Sequence, residues 1–197
     1  MKIKKIPSPN YSSRDGHQVD MIVIHAISLP PGEFRTGYVL DLFLNRLNPS
    51  AHPYFQEIRD LRVSAHYFID RGGEVIELVD PDQMAWHAGE SSFEGRQGCN
   101  LFSIGIELEG TPDQPFTERQ YRSLMELCLV LMKRYPLISP ERIVRHSDIA
   151  PGRKKDPGPL FPWERFKDEL KREISKKNFS AAEFKESINP SGSKDKF

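Results

Sequence analysis

Fourteen consecutive residues, His146-Ser147-Asp148-Ile149-Ala150-Pro151-Gly152-Arg153-Lys154-Lys155-Asp156-Pro157-Gly158-Pro159, carry an imidazole, three successive cations and a carboxylate. So much proline and glycine rules out a regular helix or a central strand, so the stretch is a loop of fixed shape. Loops held on a rigid scaffold are where binding and catalytic groups concentrate. His146 follows the short apolar run Ile143-Val144. A second imidazole, His25, closes the run Met21-Ile22-Val23-Ile24, which reads as a buried strand. A histidine that merely ends a strand is usually a hydrogen-bonded core edge. Two of them, with Asp156 ten positions after His146, make a donor set of two nitrogens and one oxygen. Catalytic Zn²⁺ centres commonly use three such ligands and keep the fourth position for water.

At these residues the chain resembles the zinc-dependent N-acetylmuramoyl-L-alanine amidases, in particular those that act on 1,6-anhydro-muropeptides. The similar segments are Ile24-His25 with Ile27 to Phe34, Leu61-Arg62-Val63-Ser64-Ala65-His66 and Trp86-His87-Ala88-Gly89. Phe102 to Gly110 and the loop itself complete the set, and the five stand in the family's order over most of the chain. The resemblance implies zinc bound by His25, His146 and Asp156, with Glu107 as the catalytic carboxylate and Lys154 steadying the transition state. It also implies substrate contacts at Arg62, Trp86 and His87. Two positions depart from the pattern. Ala26 stands where relatives usually carry Asn, and Gly98 where they usually carry Arg, with Arg96 a substitute for the latter.

The implied reaction is hydrolysis of the amide between the lactyl group of a muramic acid and L-alanine of the stem peptide. Zinc suits it because it lowers the pKa of a water ligand to about 7. A neighbouring carboxylate moves the proton, for about 10²–10⁴-fold in rate, and a cation opposes the oxyanion. Strand alternation puts Glu107 and Glu109 on one face, so spacing alone does not choose between them. Arg153 and Lys155 read as plain loop cations and His66 as structural. Nothing marks out His17 or His52. Rival readings are an amidase acting on intact peptidoglycan and a metal-free peptidoglycan-recognition module of the same fold. That module typically lacks a ligand, whereas all three are present here.

The elements that must position these groups give an α/β layout. Strands are expected at residues 20–25, 63–70, 74–79 and 102–108, the middle pair joined by the turn Arg71-Gly72-Gly73. Helices are expected at 37–47, from Thr117 to Tyr135 with a Thr117/Gln120 capping box, and at 163–176 after Pro162. Tyr121, Leu124, Met125, Cys128, Leu131 and Met132 recur at helical spacing, which is core packing. The stretch 33–62, apart from its helix, is expected to be irregular. The fold class is α/β, a single domain with a mixed central sheet flanked by helices, at residues 1–177. A tail at 178–197, poor in apolar residues, is expected to be disordered.

Composition bounds the rest. At 197 residues the chain suits one domain with its own core. With 28 cations against 28 anions there is no net field to favour nucleic acid or an anionic membrane. Cys99 and Cys128 stand 29 positions apart, which suggests neither a metal cluster nor a disulfide framework. The basic start Met1 to Pro7 leads into Ser8-Pro9-Asn10 and not into an apolar run, so the expectation is a cytoplasmic enzyme without a signal peptide. Its partner would be a soluble anhydromuramyl-peptide.

Overall fold

The computed structural model describes residues 1–188, with side chains to Lys176. In chain order the strands are β1 (Ile3–Lys5), β2 (Tyr11–Ser12), β3 (Met21–Ile27), β4 (Tyr67–Ile69), β5 (Val75–Glu77), β6 (Met84–Ala85), β7 (Ser92–Phe93), β8 (Arg96–Gln97), β9 (Ser103–Glu109) and β10 (Ile143–Arg145). The helices are α1 (Tyr38–Phe43), α2 (Pro53–Glu57), α3 (Glu118–Arg134), α4 (His146–Ile149) and α5 (Trp163–Ile188). Two compact units result, Met1–Pro162 with every strand, and the chain from Trp163 onward.

Six strands form one sheet in the order β1-β5-β4-β9-β3-β10, and two short antiparallel pairs, β2-β6 and β7-β8, lie outside it. β4 and β5 are antiparallel, as their glycine turn requires, while the other neighbours run parallel. The sheet is therefore mixed, as the sequence implies. The adjacent strands β3 and β9 are buried along almost their whole length, which explains why the run Met21 to Ile24 is continuously apolar.

Period-two alternation splits β3 between two layers. Met21 and Val23 join Ala88, Cys99, Phe102, Val144 and Ile149 in one cluster, and His25 follows them on the same face. A second cluster gathers Leu42, Phe43 and Phe55 from α1 and α2 against Phe68, Ile76 and Leu78. The Thr117/Gln120 capping box opens α3 as expected. Gln120 is fully buried, and its amide donates to the carbonyls of Ile69 and Glu109, fixing the helix to β4 and β9. Cys99 and Cys128 are buried free thiols.

Several boundaries differ from expectation. The 37–47 helix is only Tyr38–Phe43, because Asn45 adopts a positive φ of 57° and turns the chain. The stretch expected to be irregular contains α2, started by Pro53 and capped by the His52 ring, which accepts from the Tyr54 N–H. β1 had no signal: Lys4 and Lys5 mark a charged edge strand and not an apolar one. The last helix extends to Ile188, past its expected end, and the remainder of the expected tail, 189–197, lies outside the described residues.

Candidate metal centre and cleft

Register decides which side chains meet. β10 pairs with β3 so that Arg145 lies beside Ile24, and the next residue, His146, comes level with His25. β3 pairs with β9 so that His25 lies beside Glu107. His146, His25 and Glu107 therefore stand in a row at the C-terminal ends of three adjacent parallel strands. The His146–Pro159 loop returns across this row. Its backbone is tied by the Ser147 N–H to the Asp156 carbonyl at 3.2 Å, which brings the Asp156 carboxylate in.

Three donor atoms converge. His25 Nδ1 lies 2.8 Å from His146 Nδ1 and 3.5 Å from Asp156 Oδ2, and His146 Nδ1 lies 3.0 Å from that oxygen. Among the described residues these three, within 4.8 Å of one another, are the group that could hold a metal ion. Burial pushes the His25 imidazole down to about 4, so the ring is neutral and its lone pair available. Burial would raise Asp156, but hydrogen bonds with His146 and His25 outweigh it and hold the carboxyl below the usual range. Two imidazoles and one carboxylate fit a borderline-soft divalent cation.

Glu107 and Glu109 are now distinguished. Both oxygens of Glu109 are taken by backbone donors, the N–H groups of Arg35 and of Arg71. Glu107 lines the cleft with Oε1 4.0 Å from His25 Nδ1, and its buried Oε2 has no hydrogen-bond partner. Burial first, then the Asp156 charge, pushes the Glu107 carboxyl well above its ordinary range, while Lys154 opposes the shift. A carboxyl so perturbed, beside convergent donors in a cleft, is a candidate functional group.

The cleft encloses about 370 Å³. Leu29, Tyr54, Leu61 and Trp86 supply apolar walls, and His146, Asp156, Glu107 and Lys154 form its polar end. The Trp86 indole N–H donates to Ser12 Oγ at 2.9 Å, which fixes the orientation of the ring on the cleft wall. Ala26 lines the same cleft with a methyl group only, while its N–H points to Asp156 Oδ2 at 3.4 Å.

The other expected contact residues are placed differently. Arg96 is not brought to the cleft: its guanidinium pairs with Asp20 and stacks 3.6 Å from the Phe102 ring centroid. Arg62 is exposed, and its Nη1 donates to the carbonyls of Arg59 and Leu61 at 3.1 Å. His87 lies at the cleft floor, but its Nδ1 is 2.9 Å from His25 Nε2 and its Nε2 3.2 Å from Ser103 Oγ. Both ring nitrogens thus already have protein partners. Arg153 is not a plain loop cation, because it donates to the carbonyls of Ala88 and Glu90 and ties the loop to that segment. Asn100 and Ser103 gave no signal in sequence. Gly105, mid-strand, did, since such a glycine often marks a close approach. A Cβ there would lie 2.3 Å from His87 Cγ.

His66 is structural. Its Nδ1 accepts from the Gly105 N–H at 2.9 Å, Nε2 faces the Gln83 carbonyl at 3.0 Å, and Arg14 Nη2 is 2.9 Å away. Burial, then the Arg14 cation, pushes its pKa down to about 3. The folded value lies below the unfolded one of about 6.5. Between them the unfolded chain binds a proton the native one does not, so stability falls as pH falls through that window. In chelator-treated protein, the urea-derived stability should fall by up to about 1.4 kcal/mol per pH unit from this group alone. A His66→Asn variant should show a shallower slope between pH 6 and 4; identical slopes would contradict the assignment.

Residues 15–159 match the N-acetylmuramoyl-L-alanine amidase family. The chain is 52% identical over 169 residues to the 1,6-anhydro-N-acetylmuramyl-L-alanine amidase AmpD of Haemophilus influenzae, covering 85% of this chain and 92% of that one. The crystal structure of a selenomethionine AmpD derivative superposes with a TM-score of 0.82 at 48% identity, over 85% of this chain and 93% of the other. A second structure is the Escherichia coli amidase AmiD complexed with anhydro-N-acetylmuramic acid-L-Ala-D-γ-Glu-L-Lys. It superposes with a TM-score of 0.60 at 30% identity, over 82% and 59% of the two chains.

Proposed function

From the premise that this chain belongs to the N-acetylmuramoyl-L-alanine amidase family, we propose that it is a zinc amidase of soluble anhydromuropeptides, acting in cell-wall recycling in the cytoplasm. Its reaction is hydrolysis of the amide joining N-acetylmuramic acid to L-alanine. The observation that carries the metal assignment is the convergence of His25 Nδ1, His146 Nδ1 and Asp156 Oδ2 at the polar end of a cleft. A bound zinc ion supplies Lewis acidity and a water of pKa near 7.

The chain's own residues do the rest. The apolar walls exclude water and hold the muramyl-peptide so that its scissile carbonyl meets the row of strand ends. Glu107, next to His25 in the sheet, takes up a proton from the attacking water and delivers it to the departing L-alanine nitrogen. Burial, with the Asp156 charge beside it, pushes its carboxyl above the usual carboxylate range, so it holds a proton more firmly than an exposed Glu. Lys154 reaches the cleft from the loop, and its charge is felt at both His25 and Glu107. It faces the negative charge that develops on the carbonyl oxygen. The tail at 178–197 is outside this chemistry, and residues 1–177 are proposed to suffice.

Two things support the soluble substrate. The curated AmpD relative at 52% identity carries that activity in its name, and the cleft, at about 370 Å³, is of small-ligand size. The test compares release of L-alanine-linked peptide from anhydromuropeptide and from purified sacculi at equal bond concentration. Soluble fragments should be cleaved with the larger kcat/KM, because sugar contacts remote from the amide help to orient it. Equal or faster cleavage of sacculi would favour a wall-degrading amidase. Zinc binding without cleavage of either would leave a recognition role.

A further inference from the structure

We propose that the dipeptide His87-Ala88 is a clamp that sets the tautomer and orientation of both imidazoles at the metal centre, with His87 a positioning residue and not a substrate contact. The inference rests on the metal reading above and extends it to residues that touch no substrate.

Both metal-facing imidazoles present Nδ1 to the centre, and each has its other nitrogen on this dipeptide. His146 Nε2 lies 3.2 Å from the Ala88 carbonyl oxygen, and His25 Nε2 lies 2.9 Å from His87 Nδ1. A carbonyl oxygen can only accept. His146 must therefore carry its proton on Nε2, which leaves the Nδ1 lone pair free for a cation.

For His25 the same result is transmitted along a chain. Ser103 Oγ lies 2.5 Å from the Cys99 carbonyl, so the hydroxyl hydrogen is donated there. The oxygen of Ser103 is then the acceptor for His87 Nε2–H at 3.2 Å. His87 with its proton on Nε2 has a bare Nδ1, which can only accept. The proton it accepts is that of His25 Nε2, and the lone pair of His25 ends on Nδ1, facing His146 and Asp156. Each link has one allowed direction, fixed at the far end by a backbone carbonyl. Outer partners of this kind hold a ligating histidine in place and raise its basicity.

The clamp is itself held. Asn100 Oδ1 accepts from the N–H groups of both His87 and Ala88, at 3.1 and 2.8 Å, and Arg153 donates to the Ala88 carbonyl at 2.6 Å. The His87 ring packs against β9 where Gly105 leaves room for it, and the His66 ring meets it edge-on with 5.6 Å between centroids. His87 is buried at the cleft floor, and both its ring nitrogens are engaged by protein partners and so are not free for a ligand.

The test measures zinc affinity of the full chain by competition with a chelator, alongside the melting temperature of the metal-free protein. His87→Leu should raise the zinc Kd by about 10–100-fold with little change in the metal-free melting temperature. His87→Asn, whose Oδ1 can stand in for Nδ1 as the acceptor, should recover most of the loss. Long-range ¹H–¹⁵N spectra of the zinc-loaded wild type should place the proton on Nε2 of His25, His87 and His146 alike. A proton on His87 Nδ1, or an unchanged Kd in a well-folded His87→Leu protein, would overturn the clamp while leaving the zinc site intact. A wild-type chain that binds no zinc would instead overturn both readings. Should His87→Leu not fold, Ser103→Ala carries the test. Its His87 proton should then spread over both nitrogens and its zinc affinity fall, and a single Nε2–H tautomer at wild-type affinity would count against the proposal.

Discussion

Replacing His146 by Ala is expected to remove the metal and, with it, amide cleavage, lowering kcat/KM by at least about 10³-fold. The figure follows from the several kcal/mol of transition-state stabilisation that a Lewis acid supplies, at 1.36 kcal/mol per factor of ten. His25→Ala and Asp156→Ala should do the same, since the three donor atoms converge on one point and any two make a poor site. The measurements are metal content after dialysis and turnover of anhydromuropeptide. Metal and activity should be lost together in all three. Stoichiometric zinc in the His146→Ala protein, at wild-type affinity, would remove His146 from the ligand set. His146 and His25 are buried among apolar residues of the sheet, so the metal-free melting temperature has to be recorded beside the zinc content.

Glu107→Gln and Lys154→Met are expected to separate chemistry from metal binding. Each should retain zinc while kcat falls by about 10²-fold or more, the usual scale for losing a positioned proton carrier or an oxyanion partner. Glu107→Gln keeps the shape of a side chain whose Oε2 has no hydrogen-bond partner, so folding should be little affected. Glu109→Gln makes the opposite case. Its carboxylate accepts the backbone N–H groups of Arg35 and Arg71, and an amide must turn a donor toward one of them. About 1–3 kcal/mol of stability should go, with the chemical step spared. A Glu109→Gln enzyme that is stable but inactive, beside an active Glu107→Gln enzyme, would require the two roles to be exchanged.

Much of the fold was legible because it rests on local properties. The unbroken apolar run at 21–24 and the strand expected at 102–108 became β3 and β9, neighbours inside the sheet that are buried along almost their whole length. Thr117 and Gln120 announced the start of α3, and the glycine turn after Asp70 announced the β4–β5 hairpin. The short elements were less legible. The helix expected at 37–47 stops short at Phe43, α2 has only five residues and gave no signal, and β1 is a charged edge held by one neighbour.

For the site the division is similar. His25, His146 and Asp156 stood out by sequence alone, because two strand ends and a Pro-Gly-rich loop restrict where those side chains can go. The resemblance added Glu107 and Lys154. What sequence could not decide were pairings between segments far apart in the chain. Glu107 and Glu109 share a strand face, and only the approach of Arg35 and Arg71 saturates the second and leaves the first beside the metal centre. Arg96 looked available for substrate until folding placed it on Asp20 and Phe102. His87 lies 62 residues from His25 and faces it only because β9 leaves a gap at Gly105 and Asn100 pins the intervening backbone. Residue type and spacing thus determined which groups could do chemistry. Which of them meet, and with which proton on which nitrogen, was decided by register and by hydrogen bonds across the fold, because those depend on partners that no local stretch of chain contains.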